Sequence, residues 1–116
     1  MKYLFILNDE PYGSERSYNA LRLAGLLVKR DCVEVKVFLI GDAVACAQTG
    51  QVTPDGYYNI ERMIKVVLGK GGSVGLCGSC SDARGIKENL ITKGAHLSSM
   101  EELTNWTTEA DRVLVF

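Results

Sequence analysis

Hydrophobic positions follow two patterns that alternate along the chain. Short, nearly continuous apolar runs over Lys2–Leu7 and Glu34–Ile40 are typical of strands that are buried on both faces of a parallel sheet. Over Ser14–Arg30 and Tyr58–Leu68 the apolar residues instead recur at the spacing of one helix face. Strands that alternate with helices predict an α/β fold whose parallel sheet is covered on both faces.

Capping and turn residues set the bounds of the other predicted elements. Asp42 is predicted to cap a short helix that runs through Ala47. Ser99 and Glu102 form a capping box for the last helix, roughly Met100–Ala110. Its inward side is assigned to Met100, Leu103, Thr107 and Ala110. The remaining predictions are a surface loop over Gln48–Gly56, strands over Ser73–Leu76, Ala95–Leu97 and Arg112–Phe116, a short helix from about Ser79 to Gly85, and a helical turn or two over Lys87–Thr92.

Length and composition place the chain among folded globular proteins. Its 116 residues have room for one domain, which we assign to residues 1–116. Hydrophobic residues make up 47% and charged residues 23%, which argues against a disordered chain. The 13 Lys and Arg residues are matched by 14 Asp and Glu residues, so the composition also argues against direct nucleic-acid binding.

The first apolar run bears on the compartment and the state of the cysteines. Tyr3–Leu7 is too short for a signal peptide or a membrane helix, and three polar residues follow it at once. We therefore expect a cytoplasmic protein that does not associate with membranes. Because cytoplasmic thiols stay reduced, the four cysteines are expected to be reactive or merely buried and not paired in structural disulfides.

The predicted strand ends supply the candidate site. In an open parallel sheet, sites form at the carboxyl ends of the strands, where loops and helix N-termini converge. Cys77 is the only strong nucleophile at these positions, and the acidic residues at the end of the first strand also fit a solvated turn. The candidate residues are, in chain order, Asn8 and Asp9, Gly41 and Asp42, and Cys77 and Gly78.

The position of Cys77 favours a reactive thiol. The N–H groups and the positive dipole end of the following helix would stabilise a thiolate. Gly78 lets the backbone approach closely, and Arg84 lies one helical turn beyond Cys80, where its guanidinium would add positive potential. The alternative is that Cys77 is a small hydrophobic residue buried at a strand end, as cysteine often is.

Other uses of the cysteines have weaker support in the sequence. Cys77 and Cys80 form a C-x-x-C pair, but Leu76 stands where thioredoxin-like proteins carry an aromatic residue, and no proline follows. Zinc needs more ligands, and the other candidates, Cys32, Cys46 and His96, lack chelate spacing, so we predict no metal site. Cys32 and Cys46 are interpreted as structural. No serine has an obvious base partner, which argues against a hydrolase triad around His96.

Four segments in order resemble one family. They are Ile6–Arg16, Val37–Val44, Cys77–Ile86 and parts of the tail from Gly94 to Phe116. Together these segments resemble the DsrE/DsrF-like sulfur-relay family over nearly the whole chain. The resemblance implies a three-layer α/β/α fold with a mostly parallel five-stranded sheet. It also implies trimers or hexamers, formed either by one chain or by related subunits.

The resemblance also implies a role for one cysteine. In family members that carry sulfur as a persulfide, that cysteine stands seven residues before an Arg-Gly pair. Cys77 stands seven residues before Arg84-Gly85, so the role carries over to Cys77. Cys80 has no counterpart in the single-cysteine pattern, which leaves two interpretations of the pair. It is either a carrier with a resolving thiol or a dithiol redox centre.

The sequence thus leaves three functions open. The first is a sulfurtransferase-type carrier that passes persulfide sulfur through Cys77, between donor and acceptor proteins and without a cofactor. In it, Cys80 would release the sulfur by closing a disulfide or protect Cys77 from overoxidation. The second is a C-x-x-C dithiol redox protein. The third is a non-catalytic oligomeric binding subunit of the same fold, in which Cys77 is only packed.

Overall fold

The sheet is five-stranded, and all of its strand pairs are parallel. The computed structural model describes residues 1–116. The spatial order of the strands is β4-β3-β2-β1-β5, so the chain adds strands outward from β1 on one side and then places the last strand on the other side. The strands are β1 (Lys2–Leu7), β2 (Glu34–Leu39), β3 (Ser73–Cys77), β4 (His96–Ser98) and β5 (Arg112–Val115).

Helices cover both faces of this sheet, which confirms the predicted α/β class. Short 3₁₀ segments over Gly41–Ala47 and Glu88–Leu90 complete the structure. None of the helices has the length and apolarity needed to span a membrane. The α-helices are α1 (Arg16–Leu27), α2 (Ile60–Gly69), α3 (Gly78–Ala83) and α4 (Met100–Glu109).

Alternation along the strands divides the core into two layers. Phe5 and Leu7 of β1 face α1 and α2, in a cluster of 20 buried residues. Leu4, one residue before Phe5, faces the opposite side and joins a smaller cluster of four buried residues that includes Leu103 and Trp106 of α4. The three-layer α/β/α arrangement follows directly from this alternation.

Helix ends differ from the sequence-based bounds where a side chain bonds to the backbone or to a nearby turn. The first helix was expected from Ser14, but the Ser14 hydroxyl donates to the Asp9 carboxylate at 2.7 Å and stays in the turn. The second long helix begins at Ile60 instead of Tyr58, because the Asn59 side chain accepts from the Arg62 N–H at 3.1 Å and so caps it.

The predicted inward side of the last helix was partly wrong. Leu103 is buried, but Met100 is 60% exposed and Thr107 is also exposed. Trp106 fills the layer instead, with its ring edge-on to Phe38 at 6.2 Å between centroids. The spacing alone did not distinguish Trp106 from its neighbour Thr107, whose hydroxyl bonds back to the Leu103 carbonyl at 2.7 Å.

Two short segments are less helical than predicted. Residues 41–47 form a 3₁₀ segment that Asp42 does not cap, since its carboxylate is bound to an arginine described below. The helical turns expected over Lys87–Thr92 shrink to Glu88–Leu90. Beyond them the Ile91 backbone is extended, and the Thr92 N–H and hydroxyl both donate to the Ala47 carbonyl, at 2.7 and 2.8 Å.

The turn between α2 and β3 depends on a glycine. A Cβ at Gly72 would lie 2.6 Å from Cγ1 of Val67 and 2.9 Å from the Val67 carbonyl oxygen, closer than packed atoms approach. We expect Gly72→Ala to lower the free energy of unfolding by about 1–3 kcal/mol, because the turn must open to admit a methyl group. The midpoint of urea unfolding measures the loss.

Gly69→Ala is the matched control for that substitution. Gly69 ends α2, and a Cβ there meets nothing within 4 Å. The control is expected to leave the free energy of unfolding unchanged or to raise it by up to about 1 kcal/mol. Equal midpoints for Gly72→Ala and the unsubstituted protein would contradict the packing argument.

Candidate functional site

The candidate site lies where β2 and β3 end side by side. Leu39 of β2 is in register with Leu76 of β3, so the residues that follow each strand emerge at the same edge of the sheet. Gly41 and Asp42 follow β2, whereas Cys77 ends β3 and immediately precedes α3. Leu7 of β1 is in turn in register with Leu39, so the parallel register brings all three predicted strand ends to one edge.

The first turn of α3 surrounds the Cys77 sulfur with donors. Cys77 is partly exposed, and its Sγ accepts from the Cys80 backbone N–H at 3.4 Å. The Ser79 hydroxyl lies 3.4 Å from the same sulfur. Partial burial opposes ionisation of Cys77, but hydrogen bonds from the Cys80 and Ser79 side chains and backbones outweigh it, so the Cys77 pKa lies below its usual value. The arrangement favours a thiolate at Cys77.

Cys80 differs from Cys77 although the two thiols are neighbours. Its Sγ accepts from the Gly41 N–H at 3.3 Å. Burial, followed by the hydrogen bond and charge of Cys77, raises the Cys80 pKa, while the Gly41 N–H and Arg84 act in the opposite sense. Cys77 is therefore favoured as a thiolate and Cys80 as a thiol.

Arg84 joins α3 to the end of β2. Its Nε and a terminal nitrogen both donate to Oδ1 of Asp42, at 3.1 and 2.8 Å, and the other terminal nitrogen donates to the Cys80 carbonyl at 3.0 Å. The guanidinium charge is thus paired with Asp42 and influences Cys80 more directly than Cys77. Arg84 thereby also holds the turn that carries both thiols.

Gly78 is required by a close approach of the edge strand. A Cβ at Gly78 would lie 3.0 Å from the Ser98 carbonyl oxygen, and Ser98 is in register with Cys77. The short strand β4 therefore packs directly against the start of α3. A larger residue at position 78 would push these two elements apart.

The end of β1 is occupied by structural contacts. The Asn8 carbonyl oxygen faces Gly41, and the Asn8 side-chain amide donates to the Phe116 carbonyl at 3.0 Å. The Asp9 carboxylate accepts from Ser14 and lies 3.7 Å from Arg16. The structure therefore places Asn8 and Asp9 beside the candidate site, with their side chains directed into the β5 end and the α1 turn.

The other two cysteines lie outside the site. Cys46 is fully buried, and that burial raises its pKa to about 12. Cys32 is exposed in the turn before β2, where its backbone takes a φ of 59°. No group of three or more His, Cys, Asp or Glu side chains is arranged to hold a metal ion.

One polar cluster beside the site was missed from the sequence. The Glu102 carboxylate accepts from the Ser98 hydroxyl at 2.5 Å and also contacts His96 Nε2. Only half of the predicted capping box forms, because Ser99 Oγ accepts from the Glu102 N–H at 3.2 Å while the Glu102 side chain turns to β4. His96 and Ser98 share one face of β4 by the period of two, which is the signal that would have indicated the cluster.

Comparison with known proteins settles the family. The sequence model of the DsrE/DsrF-like family matches residues 1–116. Protein YchN of Escherichia coli is 37% identical over 99% of this chain and 98% of its own length.

The chain belongs to the DsrE/DsrF-like family.

Further relatives are archaeal and bacterial. An uncharacterized protein of Methanopyrus kandleri is 40% identical over 96% of this chain and 90% of its own length. The crystal structure of the Escherichia coli ychN protein superimposes with a TM-score of 0.92, over 99% of this chain and 98% of that one. A Methanobacterium thermoautotrophicum protein of unknown function shares the fold alone, with a TM-score of 0.76 at 15% identity over 99% of this chain and 98% of that one.

The Glu102 cluster makes a pH-dependent contribution to stability. Burial opposes ionisation of Glu102, but hydrogen bonds from Ser98 and His96 and the nearby Lys36 charge hold its pKa below the ordinary value of 4.5. A lowered carboxyl pKa stabilises the fold above about pH 4.5, and that stability is lost as the pH falls through the folded-state pKa. We expect Glu102→Gln to cost about 1 kcal/mol at pH 7, allowing for solvent screening.

The control is Glu101→Gln, which removes an exposed carboxylate from the same helical turn. Urea midpoints measured from pH 7 down to pH 3 should show the Glu102→Gln deficit shrinking below about pH 4.5, with little change for Glu101→Gln. A deficit that stays constant with pH would show that the charge of Glu102 contributes nothing.

Proposed function

We propose that this protein carries sulfur as a persulfide on Cys77 and transfers it to an acceptor thiol. The observation that supports this function best is the set of donors around the Cys77 sulfur, at 3.4 Å from both the Cys80 N–H and the Ser79 hydroxyl. These donors favour the thiolate, and the thiolate is the nucleophile in sulfur exchange.

Both steps of the proposed transfer are exchanges at sulfur. The Cys77 thiolate attacks the outer sulfur of a donor persulfide, a new S–S bond forms, and the donor leaves as a thiolate. An acceptor thiolate then attacks the outer sulfur on Cys77, forms an acceptor persulfide and returns Cys77 to a thiolate. Electrons balance within each step, so the transfer requires no cofactor. The donors that stabilise the Cys77 thiolate also stabilise Cys77 as the leaving group.

The proposal includes partners and a compartment. The sulfur donor and the acceptor are proteins with accessible thiols, and neither nucleic acid nor a membrane takes part directly. The protein is expected to act in the cytoplasm as a homo-oligomer, a trimer or a hexamer, as family resemblance implies. The partial exposure of Cys77 supports exchange with a protein-borne sulfur atom at the sheet edge.

Intact-protein mass spectrometry tests the carrier directly. Reduced protein is incubated with glutathione persulfide, desalted and weighed, and we expect a gain of one sulfur atom. Cys77→Ser should abolish the gain, because the attacking thiolate is lost. Loading should also slow as the pH falls through the Cys77 pKa, since the thiolate fraction falls with it.

Cys32→Ser is the matched control for Cys77→Ser. Cys32 is an exposed thiol remote from the site, so its replacement should leave the site-specific gain intact. Peptide mapping assigns the added sulfur to a residue. A gain that survives in Cys77→Ser, or that maps to Cys32 alone, would contradict the proposal.

A dithiol redox function is the second candidate, and the position of both cysteines in the first turn of α3 favours it. The Cys80 backbone N–H donates to the Cys77 sulfur at 3.4 Å, and the Cys80 pKa is raised while the Cys77 pKa is lowered, an asymmetry suited to a pair in which one thiol attacks and the other resolves. In this function the pair exchanges electrons with a partner disulfide and carries no extra sulfur.

Cys80→Ser separates the two candidates. A carrier in which Cys80 is not required for loading still gains one sulfur atom in Cys80→Ser, and its persulfide is expected to last longer than in the unsubstituted protein. A dithiol centre gains no sulfur, and Cys80→Ser traps a mixed disulfide on Cys77. A Cys77–Cys80 reduction potential near that of thioredoxin, about −270 mV, together with no persulfide would favour the redox function.

A further inference from the structure

α1 and α2 form one helix layer on the sheet. A groove with a volume of about 170 Å³ runs between them on the outer side of this layer. Gly25 of α1 faces Val66 of α2, and a Cβ at Gly25 would lie 3.7 Å from Cγ1 of Val66. A methyl group would fit there at an ordinary contact distance, so the absence of a side chain at Gly25 leaves a depression between the helices.

Apolar side chains that flank this depression are exposed. Leu26 is 64% exposed and Val66 is 40% exposed, and Leu21 and Met63 contribute to the lining below them. Single exposed apolar residues are ordinary on protein surfaces, but here two of them flank one depression. The space suits one or two inserted side chains, since pockets for whole small molecules run to about 300–1,000 Å³.

Cations without carboxylate partners stand at the rim. Arg22 and Lys29 line the groove, and neither forms an ion pair. The Arg22 guanidinium donates to the Asn19 side chain at 3.2 Å and lies 5.4 Å from the Tyr18 ring centroid, so it is held along α1. Arg22 lies in α1, and Lys29 lies in the turn that directly follows the end of this helix at Leu27.

The charge around the groove has one sign. Between Arg16 and Leu27, α1 carries two arginines and no acidic residue. The one carboxylate of α2, Glu61, is paired with Lys65 at 3.2 Å. An occupant that satisfies this surface must present apolar side chains to the floor and negative charge to the rim.

We propose that the groove docks an acidic amphipathic helix of a partner protein. The apolar stripe of that helix packs between Leu26 and Val66, and its carboxylates pair with Arg22 and Lys29. This is the helix-in-groove mode of recognition, in which anchors at i, i+3, i+4 and i+7 enter an apolar channel. A nucleic acid would leave the apolar floor unused.

The docking surface is separate from the sulfur chemistry. α1 runs from the end of β1 back toward the start of β2, so Arg22 and Lys29 lie in the half of the helix layer away from Cys77. A partner in the groove leaves the site edge open. Docking in the groove therefore does not depend on the proposed persulfide on Cys77.

A labelled helical peptide tests the docking surface. The probe has about 18 residues, with leucines at i, i+3, i+4 and i+7 and glutamates at the remaining surface positions. Fluorescence anisotropy should show saturable binding to the full-length protein that weakens as salt is raised, because the rim pairs are exposed. Leu26→Glu and Arg22→Glu should each weaken binding at least about tenfold.

Val52→Glu is the control variant, because Val52 is 94% exposed and lies outside the groove. A peptide with lysine in place of every glutamate should not bind. All variants should keep the unsubstituted rate of Cys77 alkylation, which shows that the fold is intact. Binding that Leu26→Glu and Arg22→Glu do not weaken, or no binding at all, overturns the proposal.

Light scattering tests whether a second copy of the chain is the occupant. α4 carries Glu101, Glu102 and Glu109 and no basic residue, so it is the acidic helix that another copy would offer. If Leu26→Glu dissociates an oligomer and the unsubstituted oligomer does not bind the peptide, the groove is a self-association surface and the proposal is wrong. An unchanged oligomeric state in Leu26→Glu, with peptide binding lost, supports it.

Discussion

The parallel register between β2 and β3 is the constraint on which the candidate site depends. Because Leu39 lies opposite Leu76, the chain leaves both strands at one edge, and the Gly41 N–H can reach the Cys80 sulfur at 3.3 Å. A shift of one residue in either strand would also exchange the side chains that it presents to the two layers. The packing that fixes the core thus fixes the distance between the two loops of the site.

Within that edge, backbone groups and short side chains distinguish the two thiols. Cys77 is favoured as a thiolate by the first turn of α3, whose six residues are too few for a large helix dipole, so individual N–H and O–H donors matter most. Cys80 is kept as a thiol by burial and by its neighbour. Arg84 contributes by fastening the turn to Asp42, so the distinction rests on local geometry more than on net charge.

The sequence predicted most of the fold because burial controls both patterns on which the prediction relied. β1 and β2 were found within one residue because each is buried on both faces. The predicted helix starts were wrong where a polar side chain has more than one possible hydrogen-bond partner. Ser14 bonds to Asp9, and Asp42 accepts from Arg84. Such pairs join residues far apart in the chain or in a turn, and periodicity carries no information about them. For the same reason, the Glu102 contacts with β4 could not be read from its capping spacing.

The two faces of the sheet are covered by different numbers of helices, and the surface that could dock a partner is separate from the edge that carries Cys77. α1 and α2 protect one face and meet at Gly25, whereas α4 alone packs on the other, where the hydrophobic cluster is much smaller. The strands and α1 run in opposite directions, so the second half of α1 lies at the end of the molecule remote from Cys77. In an enzyme with an enclosed pocket, binding and chemistry take place at the same site. Here a partner held on the α1–α2 layer would leave the sulfur edge free, so docking and exchange can be changed independently by mutation.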